Sequence, residues 1–352
     1  MKRAILAAVV LVVCLTGVPG VAAEEGAAED GGQWRSLCDG KTLNGWHAVG
    51  DGKWTVEDGV IIGRANSEKL YGLLVSDEVF RDFSVRYKFK CVIGDSGFYV
   101  RTYILPPEKA YGLQVQVGKA KSGTGGIYES YKRAWVERPS DEDQLKFVKD
   151  DDWNDMRIDV KGQTITVHVN GVKTADLKDE ASRPIGHLAL QMHSGNVMDV
   201  RFKDIEIKEG PDTSADLKVV KAGATGEILL RAADAKGVGP KIKYMPKWKA
   251  FGWWTQNDYA EWKVDVPKDG LYDVYMQWSL DDKQAGNKFS FEIGGTFVNG
   301  KTAGSGSSET FKTAKIGQMK LKAGVQTALF LPSGRFKNSL LDLRDVKLVP
   351  VK

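Results

Sequence analysis

Trp153-Asn154-Asp155-Met156-Arg157-Ile158-Asp159-Val160-Lys161-Gly162-Gln163-Thr164-Ile165-Thr166-Val167-His168-Val169-Asn170-Gly171 is the stretch on which the fold turns. Met156, Ile158 and Val160 alternate with Arg157, Asp159 and Lys161, so one face of an extended strand is apolar and the other charged. Gly162-Gln163 reverses the chain, and Ile165, Val167 and Val169 run back toward Asn170-Gly171, a pair suited to the positive φ angles of a tight turn. The pattern predicts two hairpins in succession. On either side, short alternating runs recur between Gly, Asp, Asn and Pro, which reads as an all-β sandwich. Only Pro139 to Lys149 has helical character, with Ser140 or Asp141 as its cap.

Reading outward, the alternation dissolves between Glu209 and Gly226 into Gly-Pro-Asp-Thr-Ser-Ala and Lys-Ala-Gly-Ala-Thr-Gly, the composition of a linker with one strand at Leu217 to Val220. It resumes as Ala260 to Val266, Tyr272 to Leu280, Lys288 to Ile293, Ile316 to Leu321, Thr327 to Leu331 and Leu340 to Val349. The expected organisation is a leader over 1–23, an acidic lead over 24–32, a first β domain over 33–209, a linker over 210–226 and a second β domain over 227–352.

The leader reading rests on a basic start at Lys2-Arg3, an apolar core from Ala4 to Leu15 and the small residues Val21-Ala22-Ala23, the pattern of a secretory signal peptide cut after Ala23. A secreted or periplasmic protein is expected. No later run approaches the roughly 20 apolar residues that span a bilayer. Lys and Arg total 50 against 46 Asp and Glu. Losing Lys2 and Arg3 with the leader lowers the excess to +2, spread along the chain, which argues against a nucleic-acid partner.

Cys38 and Cys91 remain after export, enough for one disulfide or for two buried thiols. There is no Cys-x-x-Cys, no His-x-x-x-His and no Gly-rich phosphate loop, and the four histidines are scattered. No metal site or other cofactor is expected, with a divalent ion left as an open alternative.

Alternation also proposes a site. Tyr99 and Arg101 oppose Phe98 and Val100; Gln114 and Gln116 oppose Leu113, Val115 and Val117; Gln191 and His193 oppose Leu190 and Met192. If the three strands share a sheet, these six polar side chains line one groove. Tyr128, Arg133 and Trp135 follow the Gly125-Gly126 turn and could shape a pocket beside it. In the second domain Trp253 and Trp254 could form a stacking platform with Asn338, although alternation would send one of the two indoles into the core.

Residues 34–209 resemble the 3-keto-disaccharide hydrolase family. The landmarks are Ser36-Leu37-Cys38-Asp39-Gly40-Lys41-Thr42-Leu43-Asn44-Gly45-Trp46, Ser96-Gly97-Phe98-Tyr99-Val100-Arg101, Gly125-Gly126-Ile127-Tyr128-Glu129, Trp153-Asn154 and Leu190-Gln191-Met192-His193. The resemblance implies a concanavalin-like jelly roll, and Gly252-Trp253-Trp254-Thr255 with Leu341-Asp342-Leu343-Arg344-Asp345-Val346 makes the second domain similar to galactose-binding-like carbohydrate-binding modules. Carbohydrate is the implied partner and cleavage of a 3-keto-glycoside the implied activity. His193 is expected as the base that removes the acidified C2 proton and Arg101 as the donor to the enolate oxygen. Family members often carry carboxylates where this chain has Gln114 and Gln116, and glutamine cannot exchange a proton. A lectin-like protein with two binding domains is therefore the rival expectation. Asp204-Ile205-Glu206 lacks the third acid of the jelly-roll glucanases and does not supply a standard glycosidase pair.

Overall fold

The computed structural model describes residues 32–67, 70–105, 109–179, 182–194, 197–210, 216–334, 336 and 338–351. The leader and nearly all of the acidic lead lie outside them. Residues from Gly31 onward form one compact unit, and it is all-β: a jelly-roll sandwich followed by a galactose-binding-like β-sandwich. No helix among the described residues is long and apolar enough to cross a membrane.

The opening hairpins become Asn154–Lys161, Thr164–Val169 and Val172–Lys178, paired antiparallel with Met156 opposite Val169 and Val160 opposite Ile165. They form one edge of the first sheet, which continues through Phe83–Ile93, Met198–Glu209, Val60–Ala65 and Lys53–Glu57. The second sheet runs in the order Ala134–Glu137, Ile127–Glu129, Lys109–Val117, Ser96–Leu105, Gly186–Met192, Gly72–Phe80, Trp46–Gly50. Between the sheets lie Ile158, Val160, Ile165 and Val167 from one side and Phe98, Val100, Leu113 and Leu190 from the other. Full burial of such side chains contributes about 1.5–3 kcal/mol each.

Trp46 and Trp54 belong to this core. Trp153 lies half-buried under the Lys203 ammonium at 4.3 Å from its ring. Cys91 is buried and Cys38 half-buried, both as free thiols, and Cys38 stands in a loop rather than a strand. The helix is Asp141–Phe147, capped by Ser140, whose side chain accepts from the Asp143 N–H.

Val219–Lys221, inside the stretch expected to be a linker, runs parallel to Lys263–Asp265 and is a strand of the second sandwich. Its sheet continues through Tyr259–Val266, Gly324–Pro332, Lys288–Ile293 and Thr296–Lys301. The facing sheet orders Lys243–Met245, Ala250–Gly252, Asp342–Pro350, Gly270–Ser279 and Lys312–Leu321. Trp262, fully buried between them, satisfies its indole N–H on the Arg231 carbonyl at 2.7 Å.

The two sandwiches meet in a packed seam. Ile185, Tyr259, Leu329 and Leu331 form its apolar centre, with Val79 and Val238 against it. Arg81 reaches the Tyr259 hydroxyl and the buried Glu261 carboxylate, while Arg183 Nη2 donates to both Glu292 oxygens at 2.9 Å. The Gly294-Gly295 turn rests on two histidines: a Cβ at Gly295 would lie 3.5 Å from His47 Cε1 and 3.6 Å from His187 Cε1.

Candidate functional site

The site is built on the face of the second sheet that points away from the sandwich core. Register places Gln114 between Tyr99 and Tyr128, Tyr99 opposite Ala189, and Gln116 opposite Gly97. Two-residue alternation sends Phe98, Val100, Leu113 and Val115 inward, so Tyr99, Gln114, Gln116 and Gln191 share the other face, where Leu73, Val75 and Ala189 pack around Tyr99.

Two hydrogen-bonded networks hold these side chains. Gln116 Nε2 donates to Asp95 Oδ2 at 2.7 Å, and Gln114 Nε2 donates to Gln116 Oε1 at 2.8 Å. Gly97 makes room for it, because a Cβ there would fall inside the Gln114 amide. Gln191 Nε2 donates to the Tyr99 hydroxyl at 3.3 Å, and that hydroxyl lies 2.7 Å from Ser130 Oγ. Burial holds the Tyr99 phenol well above its ordinary range, keeping it protonated. Gln191 Oε1 is buried and has no hydrogen-bond partner. A buried carbonyl left in this state is uncommon and marks a place where a donor from outside would be stabilised.

His193 lies just past the end of the Gly186–Met192 strand and is exposed. Its Nδ1 sits 2.5 Å from the Ser194 carbonyl oxygen. A carbonyl oxygen only accepts, so in the neutral ring that contact puts the proton on Nδ1 and leaves Nε2 as the acceptor.

Arg101 departs from the sequence expectation. A bulge between Val100 and Tyr103 breaks the alternation, and Arg101 takes a left-handed backbone, φ 48°. Its side chain is 3% exposed; Nε donates to the Arg81 carbonyl, Nη1 to those of Gly162 and Arg183, and Nη2 to Asp82 Oδ1. Burial draws the guanidinium down to about 10 against the upward pull of Asp82, so it stays charged at neutral pH. With its donors engaged on turns of the scaffold, Arg101 is a staple and not a donor to the row. Arg133 is diverted as well. It pairs with Asp179, Nη2 to Oδ2 at 2.7 Å, and with Glu129, which shares the face of its strand with core residue Ile127 and so opposes Tyr128. Hydrogen bonds to Asp179 and Glu129 raise its pKa against burial.

Trp135, 39% exposed, stands edge-on to Tyr128 with ring centroids 5.4 Å apart, so these two remain beside the row. Sequence reasoning missed Asp95 and Ser130. Asp95 directly precedes the Ser96-Gly97 landmark, the one signal that could have found it.

In the second sandwich Trp253 is 67% exposed with φ 64°, while Trp254 is buried among Phe251 and Phe330. Trp254 is thereby corrected from platform to core. Asn338 is exposed in the loop before the last strand, also with left-handed backbone, φ 64°. Among the described residues no three His, Cys, Asp or Glu side chains gather as metal ligands.

Several solved structures are similar to parts of the chain. A protein named "putative glycosyl hydrolase" from Parabacteroides distasonis ATCC 8503 is 23% identical, matching 51% of this chain and 94% of its own with a TM-score of 0.38. The carbohydrate binding module CBM66 from Bacillus subtilis is 13% identical over 48% of this chain and 98% of its own, TM-score 0.37. A family 35 carbohydrate binding module from Clostridium thermocellum is 15% identical over 36% of this chain and 98% of its own, TM-score 0.31. No curated protein matches the chain. Residues 33–208, half of the sequence and the whole of the sheet pair that carries the polar row, match the 3-keto-alpha-glucoside-1,2-lyase-like domain, and the chain belongs to that family.

Proposed function

We propose that this is a secreted carbohydrate-active enzyme whose first sandwich cleaves 3-keto-glycosides, and whose second sandwich holds it to glycan through Trp253 and Asn338. The observation that carries the reading is Gln191 Oε1, buried without a partner beside Tyr99 within the family domain. A sugar hydroxyl donating to it would complete the network. Gln114 and Gln116 would bind further hydroxyls, and Tyr128 and Trp135 would pack against the ring.

The ketone at C3 acidifies the C2 proton. His193 Nε2 takes that proton, the C–H electron pair forms the enolate, and collapse of the enolate expels the glycosidic oxygen from C1, which leaves with the proton that His193 Nε2 gives up, restoring the neutral imidazole. Water then adds to the resulting enone. Because the Arg101 donors are engaged, stabilisation of the enolate oxygen falls to the second N–H of the glutamine amides, each amide nitrogen carrying two.

A lectin-like protein that binds and does no chemistry is the second reading, favoured by the same facts: three neutral amides and no available cation in the row. Incubating the mature chain, 24–352, with a chromogenic 3-keto-glycoside separates them. Turnover is expected, and His193→Ala should lower kcat by about 10²–10⁴-fold, with a much smaller change in binding. Saturable binding with no turnover would leave the lectin.

A further inference from the structure

Asp342 opens the last strand, in register with Ser279, and its carboxylate lies against Gly252, the residue before Trp253. A Cβ at position 252 would collide with Asp342 Oδ1, so the bare glycine lets the carboxylate stand directly beside the tryptophan loop. Asp258, the acid that closes the same loop, is partnered: its Oδ2 accepts the Thr255 N–H and its Oδ1 the Lys241 N–H. Asp342 is half-buried, and among the described residues nothing donates a hydrogen bond to its carboxylate and no cation pairs with it. Burial alone pushes it up to about 6.

Two more polar atoms of the same loop, Trp254 Nε1 and Thr255 Oγ1, are buried without partners. Trp253 itself combines high exposure with a backbone conformation that bulky residues rarely adopt. Strained backbone, an exposed ring and an unpaired acid concentrated in one place mark a candidate binding site.

We infer that Asp342 is the residue that selects the glycan at Trp253: its carboxylate accepts hydrogens from two neighbouring hydroxyls of an uncharged sugar stacked on the indole, and it repels sugars that themselves bear carboxylates. This rests on the reading of the second sandwich as a carbohydrate-binding module. A carboxylate can take two O–H donors at once, which suits a vicinal diol, whereas a uronate would bring like charge to a half-desolvated acid.

Affinity electrophoresis of the mature chain at pH 7.5 tests it, with galactomannan, xylan and β-glucan as neutral probes and polygalacturonate and alginate as acidic ones. At least one neutral polymer should retard the protein and neither polyuronate should. Trp253→Ala should abolish the retardation, and Asp342→Asn should weaken it at least tenfold while leaving the melting temperature equal or higher, since a buried charge is removed. Loss in Trp253→Ala with full retention in Asp342→Asn overturns the role of Asp342 and leaves the module reading intact. No binding to any neutral polymer overturns both. Should Asp342→Asn not fold, preference of the wild type for a polyuronate is sufficient to refute the inference.

Discussion

Arg101→Ala separates a staple from a catalytic donor. The guanidinium touches Asp82 Oδ1 at 2.5 Å, the Arg81 and Gly162 carbonyls at 2.5 Å each and the Arg183 carbonyl at 3.4 Å. Truncation strands those carbonyls and removes the cation facing Asp82. Removing one partner of a buried ion pair costs about 3–5 kcal/mol. Asp82 is 46% exposed and can rehydrate, which pulls its share down, but the carbonyls tie the turn at Gly162 to the bulged strand and keep the cost in that range. For a protein of this size the loss corresponds to a fall in Tm of roughly 4–7 °C. Urea unfolding and calorimetry measure it, and turnover per folded molecule supplies the second readout. A variant that melts like the wild type yet loses a hundredfold or more in kcat would refute the staple and return Arg101 to the chemistry.

Gly97→Ala should displace the Gln114 amide and break the Gln114–Gln116–Asp95 chain, raising KM for a 3-keto-glycoside at least tenfold with little loss of secondary structure by circular dichroism. Acid should weaken the fold through His187. Burial holds its pKa below the ordinary value near 6.5, so below that pH the unfolded chain binds more protons than the folded one and stability falls as pH falls. Melting temperatures between pH 7.5 and 5.0 should show this decline, and His187→Gln should flatten it.

Much of the fold was legible because a period of two is a strong signal. Met156 to Val169 could hardly be anything but a hairpin, and the same alternation put Tyr99, Gln114, Gln116 and Gln191 on one face. Alternation places Arg101 in the row only if it runs unbroken past Val100, and nothing in Val100-Arg101-Thr102 announces the bulge that interrupts it. The partners of Arg101, namely Asp82, Gly162 and the Arg183 carbonyl, are distant in sequence and meet only in the folded sandwich. The seam was illegible for a related reason. Arg81, Glu261, Arg183 and Glu292 read as ordinary surface charges until the two sandwiches bring them together.

What the bulge does to Arg101 changes the chemistry the row can perform. An enzyme that stabilises an enolate with a guanidinium can use a weak base, since a full charge offsets the developing one. Here the proposed stabilisers are neutral amide N–H groups, oriented by their hydrogen bonds to Asp95, Gln116 and Tyr99. Amide donors hold their orientation only while the chain of hydrogen bonds behind them is intact. The demand therefore moves from the strength of one donor to the rigidity of several: Asp95, which touches no part of the proposed substrate, anchors Gln116 and Gln114, and Tyr99 with Ser130 anchors Gln191. The lectin and the enzyme then differ in little besides where His193 Nε2 lies relative to the bound sugar, because the same row of amides serves either.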